Sequence, residues 1–312
     1  MGGSLEPASV AEAAELFATA SREGRTVSIE RPGGEVVLST RRLDRVLEHE
    51  AGDLTVTVEA GIRLSVLNAR LAAKGQMLAL DPPGDPTVGA CLAANLSGPR
   101  RHRYGAPRDL VLGATVVLAD GTVASSGGKV VKNVAGYDIA KLFCGSLGRY
   151  GLLARLSFRL HPLPEAAASL VTSLDDADEA LARSQLVHSS QLVPSALDLL
   201  WQGTGSRLQA LFEGSSRSVA AQLAEARRLV GGDEVGEEAW AEARSWQARA
   251  RGRVSFSPRE LAQILGTTGE ALVRPGIGSA YTMEALADEG GDGARLLAER
   301  VRVALDPQGV LA

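Results

Sequence analysis

Thr87-Val88-Gly89-Ala90-Cys91-Leu92-Ala93-Ala94-Asn95-Leu96-Ser97-Gly98, running on to Arg103-Tyr104-Gly105, is the stretch on which the reading of this chain turns. Glycine and alanine at this density are needed where backbone N–H groups must come close to a flat or phosphorylated ligand. The run follows Asp81-Pro82-Pro83-Gly84-Asp85-Pro86, whose three prolines exclude both helix and central strand. A helix opening directly after such a loop aims unpaired N–H groups at an anion. The same composition also suits a tight crossing between packed strands, and the run by itself leaves both readings open.

A second glycine-rich segment lies downstream. Gly127-Gly128-Lys129 leads through Lys132-Asn133-Val134-Ala135-Gly136-Tyr137-Asp138 to Gly145-Ser146-Leu147-Gly148-Arg149-Tyr150-Gly151. Its GxxGxxG spacing matches the dinucleotide fingerprint, but that fingerprint follows a strand and opens a helix. Here a helix over residues 138–143 comes first and a strand over 152–160 comes after. A nicotinamide-binding Rossmann site is therefore not expected.

Around these segments the chain reads as two domains. Its 312 residues exceed one average domain, and hydrophobic residues make up 45%, enough for a sizeable core. The formal net charge of −4 gives no reason to expect a nucleic-acid or anionic-membrane partner. Cys91 and Cys144 sit among small or apolar neighbours without a CxxC partner, which predicts two buried, reduced thiols and no metal centre. No run of about 18 apolar residues exists to span a membrane, and no basic, then apolar, leader opens the chain. A soluble, cytoplasmic protein is expected.

The periodicities predict a helix over 9–22 closed by Gly24, short strands over 27–29 and 36–38, and an alternating strand over 54–59. A helix over 64–74, a strand over 114–118 and a turn at Asp120-Gly121 follow. In the strand over 152–160, Leu152, Ala154, Leu156, Phe158 and Leu160 are expected to share one face. His161-Pro162-Leu163-Pro164 marks the domain boundary. Beyond it, strands over 169–172, 196–201, 208–213 and 254–256 and helices over 177–187, 219–230, 237–249 and 258–265 suggest an antiparallel sheet with helices on one face.

Residues 87–151 resemble the second half of the PCMH-type FAD-binding domain of the vanillyl-alcohol oxidase superfamily. Gly98-Pro99-Arg100-Arg101-His102-Arg103-Tyr104-Gly105-Ala106-Pro107-Arg108-Asp109-Leu110-Val111-Leu112-Gly113, residues 126–141 and Leu160-His161-Pro162-Leu163-Pro164 are more particular. They resemble the FAD-binding E subunits of bacterial three-subunit glycolate oxidases, as does the closing Leu305-Asp306-Pro307-Gln308-Gly309-Val310-Leu311. The resemblance implies an α+β fold, with an FAD-binding domain of two subdomains over 1–164 and a smaller cap domain over 165–312. It implies that Thr87, Val88, Gly89 and Ala90 line the flavin, and that Asn95, Gly98, Tyr104 and Gly105 border the isoalloxazine and pyrophosphate. Gly145, Gly148, Gly151 and Leu152 close the other side. Tyr137 and Asp138 brace the glycine loop, while Lys129 and Lys132 either neutralise phosphate or are solvated.

The chain departs from that family in two places. The glycine-rich loop that wraps the pyrophosphate between the first two strands is reduced to Glu30-Arg31-Pro32-Gly33-Gly34-Glu35, a hairpin turn on this reading. Glu30 and Glu35 put negative charge where phosphate belongs. The turn has no histidine, so FAD is expected to be held without a covalent link. The metal-binding histidine motif of hydroxy-acid-oxidising relatives is also missing. Val273-Arg274-Pro275-Gly276-Ile277-Gly278-Ser279-Ala280-Tyr281 stands in its place, with Arg274 a candidate for a substrate carboxylate or for a salt bridge. No catalytic residue is assigned. His102 is the one histidine in the flavin-side loop, and all four histidines suit surface or structural roles better.

By resemblance, the function is that of an FAD-binding subunit in a complex that oxidises glycolate or a related 2-hydroxy acid such as D-lactate to the 2-oxo acid. In such chemistry a hydride passes to the flavin while a base takes the hydroxyl proton. The expected partners are a catalytic FAD-containing subunit and an iron–sulfur subunit, which would bring the complex to a membrane without any span in this chain. Two alternatives stay open: a structural subunit with a degenerate FAD fold, and a stand-alone FAD-linked hydroxy-acid dehydrogenase.

Overall fold

The computed structural model describes residues 4–127, 139–202, 205–285 and 292–312. The chain opens with the helix Val10–Glu23. Ser9 caps it by accepting the Glu12 N–H, and Gly24 ends it in the left-handed region at φ 63°. Its buried face, Val10, Ala13, Phe17 and Ala20, packs with Leu38, Val117, Leu152 and the C-terminal Val310 and Leu311. A small sheet runs in the order Ser4–Leu5, Val36–Leu38, Val27–Ile29.

That sheet overturns one expectation. Val27–Ile29 and Val36–Leu38 are not a hairpin; they run parallel, with Val27 opposite Val36 and Ile29 opposite Leu38. Residues 30–35 therefore carry the chain back along the strand before it starts again. Three strand residues span roughly 10 Å, which six residues can retrace. A short parallel connection and a hairpin have the same turn-rich composition, so the pattern over 27–38 did not separate them.

An antiparallel five-stranded sheet follows in the order Val46–Glu50, Thr55–Glu59, Leu152–Arg159, Val111–Val117, Val123–Gly127. Val56 and Val58 face the main core, as their alternation predicts. The strand Leu152–Arg159 does not keep one face throughout. Its register with Val111–Val117 shifts between Thr115 and Val116, so Val116 meets Leu153 and Ala154 is the extra residue. A bulge inverts the side-chain alternation. Leu153, Leu156 and Phe158 consequently enter the main core, and Leu152 and Ala154 enter the core under the first helix. One strand thus ties two cores together.

The second sheet has seven antiparallel strands in the order Asp233–Val235, Ala166–Leu174, Ser206–Gly214, Ala196–Trp201, Ala271–Arg274, Ser279–Thr282, Gly252–Ser255. Helices Ala177–Ser189, Ser216–Val230 and Leu261–Thr267 cover one face through Val187, Val219, Ala226 and Leu265. The helix Glu238–Arg249 covers the other, placing Trp240 against Ala196 and Leu211, and Trp246 against Leu200 and Leu272. Helices therefore lie on both faces rather than one. The strands Ala271–Arg274 and Ser279–Thr282 fall where the sequence suggested only a glycine motif. After the helix Asp292–Leu305, the last residues return to the first sheet, where the Ala312 N–H donates to Val27 O (2.9 Å).

The two sheets meet across a charged junction. Arg100 grips the buried Glu213 with two nitrogens at 2.6 and 3.1 Å, and Arg103 donates to the Glu213 carbonyl at 3.0 Å. Gln247 adds a bond to Ser97 O at 2.9 Å. Removing one partner of a buried ion pair leaves the other charge unpaired at a cost of about 3–5 kcal/mol. Arg100→Ala is expected to lower unfolding stability by about 3 kcal/mol in a urea titration. Arg228→Ala, which breaks an exposed pair with Glu225, should leave the midpoint unmoved.

Candidate functional site

A cleft in the first unit is built by a close approach of backbone to backbone. The Gly89 N–H donates to Ala60 O at 2.8 Å and the Val88 N–H to Ile62 O at 3.0 Å. The helix Val88–Ala93 therefore starts hard against the end of the strand Thr55–Glu59, with Thr87 Oγ1 capping it through the Ala90 N–H (3.1 Å). A Cβ on Gly89 would lie 2.8 Å from Ala60 O, so a larger residue has to lift the helix away. The opposite wall is fastened to the far end of the same helix. Gly145 and Leu147 donate their N–H groups to the carbonyls of Leu92 and Ala93.

The cleft so formed measures about 260 Å³ and is largely apolar, lined by Ile29, Ala60, Ala90, Ala93, Leu96, Leu152 and Leu153 among others. Glu30 and Thr87 line both it and a second cavity of about 380 Å³, whose wall carries Arg41, Asp44, Arg63 and Arg70. An apolar slot beside a charged chamber suits a ligand with a flat ring at one end and negative charge further along. The buried Ser146 hydroxyl lines the slot without a hydrogen-bond partner among the described residues, so a polar ligand edge there would satisfy it.

The structure brings six of the sequence-derived residues to this cleft: Thr87, Gly89, Ala90, Gly148, Gly151 and Leu152. Gly148 holds φ 80°, and among the described residues a Cβ there would touch only Ile29 at 3.6 Å, so its missing side chain leaves room within the slot. The remaining six lie elsewhere. Val88 is buried in the core. Gly98 fits against the Asp81 carbonyl and Gly105 against the Asp109 side chain, which is packing rather than ligand space. Gly145 lines a separate surface hollow with Arg108 and Tyr150. Tyr104 faces the domain junction, 3.5 Å from Glu213 and packed at a tilt against the His161 ring. Asn95 adopts φ 48° and leaves its Oδ1 without a partner among the described residues. Lys129, Lys132, Tyr137 and Asp138 lie outside the described residues.

The shortened loop already points to Glu30 and Arg31; the cleft residues missed in the sequence, Ile29, Thr40 and Ala60, come from the small parallel sheet, the segment after it and the end of Thr55–Glu59. No local motif marks them. The pairing of Val27–Ile29 with Val36–Leu38 brings them there.

Arg274 is committed to structure. Its guanidinium donates to Asp198 at 3.1 Å, the Tyr281 hydroxyl at 3.2 Å and Gln247 Oε1 at 2.8 Å, all within the second unit. Of its two candidate roles, the salt bridge is the observed one. His102 is packed against Gly276, and burial holds its imidazole below the usual range. Cys91 is buried and its thiol is pushed up to about 12, whereas Cys144 is half-buried. Neither is poised for thiolate chemistry.

Residues 4–127 match the family described as the FAD binding domain. This part of the chain is an FAD binding domain. The match takes in one wall of the cleft, Thr87 to Leu96, and stops before the other, Ser146 to Leu153. Among curated proteins, the chain is 36% identical over 222 residues to glycolate oxidase subunit GlcE of Escherichia coli, covering 70% of this chain and 60% of that one. Glycolate oxidase subunit GlcD of Bacillus subtilis is 33% identical over 55% of this chain and 37% of its own length. A probable mitochondrial D-lactate dehydrogenase of Danio rerio is 32% identical over 69% and 48%. The chain thus spans between about a third and three fifths of these relatives. A solved alkyldihydroxyacetonephosphate synthase superposes with a TM-score of 0.74 at 16% identity, over 98% of this chain and 74% of that one. The FAD binding domain and its seven-stranded companion therefore share a known overall fold. No helix among the described residues is long and apolar enough to cross a membrane.

At the edge of the FAD binding domain, burial pushes the Asp81 carboxyl up to about 6, against the pull of Arg100. An acid whose folded pKa exceeds its unfolded value of 3.8 binds its proton more tightly when folded. Its contribution to stability is full below the unfolded value and is lost as pH rises through the folded one. Asp81→Asn, which cannot ionise, should therefore gain on the native protein between about pH 4 and about pH 6.5. Thermal midpoints of both proteins across that window check this; a difference that stays flat with pH rules it out.

Proposed function

We propose that this chain is an FAD-carrying subunit of an oxidase complex, one that converts glycolate or a related 2-hydroxy acid to the 2-oxo acid. The observation that carries the reading is the apolar cleft walled by Thr87–Ala90 on one side and by Gly148, Gly151 and Leu152 on the other, within a chain that holds an FAD binding domain. The apolar slot would take the ring system of the cofactor, and the unpartnered Ser146 hydroxyl in its wall would be the donor offered to a polar ring edge. The similarity to subunits named GlcE and GlcD supports both the substrate class and the multi-subunit setting.

FAD supplies the hydride acceptor for such an oxidation. The chain's own residues position it and exclude water from it: Ala60, Ala90, Leu96, Leu152 and Leu153 dry the slot, and Gly148 leaves space for the ring. Among the described residues, Glu30 is the one carboxylate lining the slot, and it accepts from Thr40 and Ser39. Arg274 is spent on Asp198, and Glu30 borders the charged chamber, the phosphate end of the cleft on this reading, so neither is assigned the substrate's proton or carboxylate. The proton-abstracting step accordingly belongs to a partner, a catalytic FAD-containing subunit, with an iron–sulfur subunit receiving the electrons.

The purified chain is expected to show a flavin band in the visible at close to one cofactor per chain, released on denaturation as intact FAD. Gly148→Trp fills the slot and should abolish retention; at φ 80° the new side chain is strained, so the unfolding midpoint is expected to fall by the equivalent of about 1–3 kcal/mol while far-UV circular dichroism shows the chain still folded. Colourless protein that takes up no added FAD overturns the reading. Flavin retention unchanged in Gly148→Trp overturns the placement.

A further inference from the structure

Glu30 stands where the slot and the charged chamber meet, since it lines both. It is a non-glycine residue in the left-handed region, at φ 58°, a conformation that side chains adopt at some cost. That turn directs its carboxylate back onto the start of the next segment. Glu30 Oε1 accepts the Thr40 N–H at 2.5 Å and the Thr40 hydroxyl at 2.6 Å, and the Ser39 hydroxyl lies 3.3 Å from both carboxylate oxygens. One backbone N–H and two hydroxyls converging on one anion is a phosphate-binding arrangement in miniature. The donors are buried, with Ser39 and Thr40 each 5% exposed, while Glu30 itself lies at the surface. Gly61 keeps Thr40 in place: its N–H donates to Leu43 O at 2.7 Å, and a Cβ on it would overlap the Thr40 carbonyl. The anion site is thus fixed and its present occupant is removable.

We propose that the Glu30 carboxylate is an internal stand-in for phosphate: it fills an anion subsite formed by Thr40 and Ser39, and the diphosphate of a bound dinucleotide displaces it. The inference rests on the cleft reading above and deepens it by naming the donors and their competitor. The geometry has a plain consequence. Two anions cannot share three donors, and like charges held within a few ångströms repel strongly outside bulk water. Glu30 must therefore swing into solvent before the diphosphate seats. The guanidiniums of Arg41, Arg63 and Arg70 in the adjoining chamber give the diphosphate its counter-charge, set against Asp44 in the same wall. Arg63 is shared with Asp85, to whose carbonyl it donates at 2.7 Å. Cofactor affinity is consequently held below what the donors alone would allow, and FAD exchanges rather than staying locked in.

The test compares FAD with riboflavin, which has the same ring and no phosphate. The full chain, stripped of flavin, is titrated with each while flavin fluorescence is followed. Glu30→Gln keeps an oxygen to accept from Thr40 and loses the charge; Glu30→Ala vacates the subsite altogether. Both are expected to tighten FAD binding roughly ten-fold and to leave riboflavin binding unchanged, and inorganic pyrophosphate should compete with FAD more effectively in both variants. Thr40→Val should weaken FAD and spare riboflavin. FAD affinity equal to or below that of the native chain in both Glu30 variants overturns the proposal. Equal gains for FAD and riboflavin also overturn it, since they mean only a wider slot. If neither flavin binds to any of these chains, the cleft reading itself fails and this inference falls with it.

Discussion

The hydrogen bond from the Gly89 N–H to Ala60 O, 2.8 Å long, sets the geometry on which the cleft depends. It lets a helix begin at van der Waals contact with a strand end, which no residue with a side chain could do without displacing one of them. From that contact, Val88, Cys91 and Leu92 reach the main core, and Ala90, Ala93 and Ala94 face the slot. The same helix then offers its last carbonyls, Leu92 and Ala93, to the N–H groups of Gly145 and Leu147. One six-residue helix therefore fixes both walls. Its own stability is negligible at that length, so its conformation is imposed by the elements at each end.

The small-residue run from Thr87 announced this wall because close approach requires glycine and alanine whatever the ligand. It could not say which glycine meets protein and which faces open space. Gly89 and Gly98 turn out to be needed by neighbouring carbonyls, whereas Gly148 borders the slot. Two further features were invisible for a different reason. The parallel pairing of Val27–Ile29 and Val36–Leu38 depends on strand direction, which side-chain alternation does not encode. The bulge at Ala154 depends on register against Val111–Val117, and Leu152–Arg159 by itself reads as an unbroken alternating strand. Helices with a cap and a stop, such as Val10–Glu23 between Ser9 and Gly24, were legible because the determining residues are adjacent in sequence.

Charge at the domain junction follows a similar division. Arg100 and Glu213 are 113 residues apart, and nothing local to either marks them as partners. Arg274 is the clearer case. It sits in a glycine-bearing stretch and reads as available for a ligand, yet it is 1% exposed and spent on Asp198, Tyr281 and Gln247. A buried guanidinium needs most of its donors satisfied, and the strands Ala271–Arg274 and Ser279–Thr282 supply both the burial and one of the partners. The second unit thus devotes its conspicuous cation to its own core and the junction.

The shortened connection at residues 30–35 gives the first unit its distinctive character. In sequence its two carboxylates look like charges set against a phosphate. In the structure each has a defined local role: Glu35 accepts the Thr26 N–H at 3.0 Å and holds the ends of the connection together, while Glu30 caps Thr40 and Ser39. A connection this short between parallel strands has few N–H groups to spare for a ligand. A carboxylate that satisfies the neighbouring segment's donors keeps the unit folded without one. The stability of this connection and the strength of the cleft's hold on a diphosphate therefore draw on the same three donors, and strengthening one weakens the other.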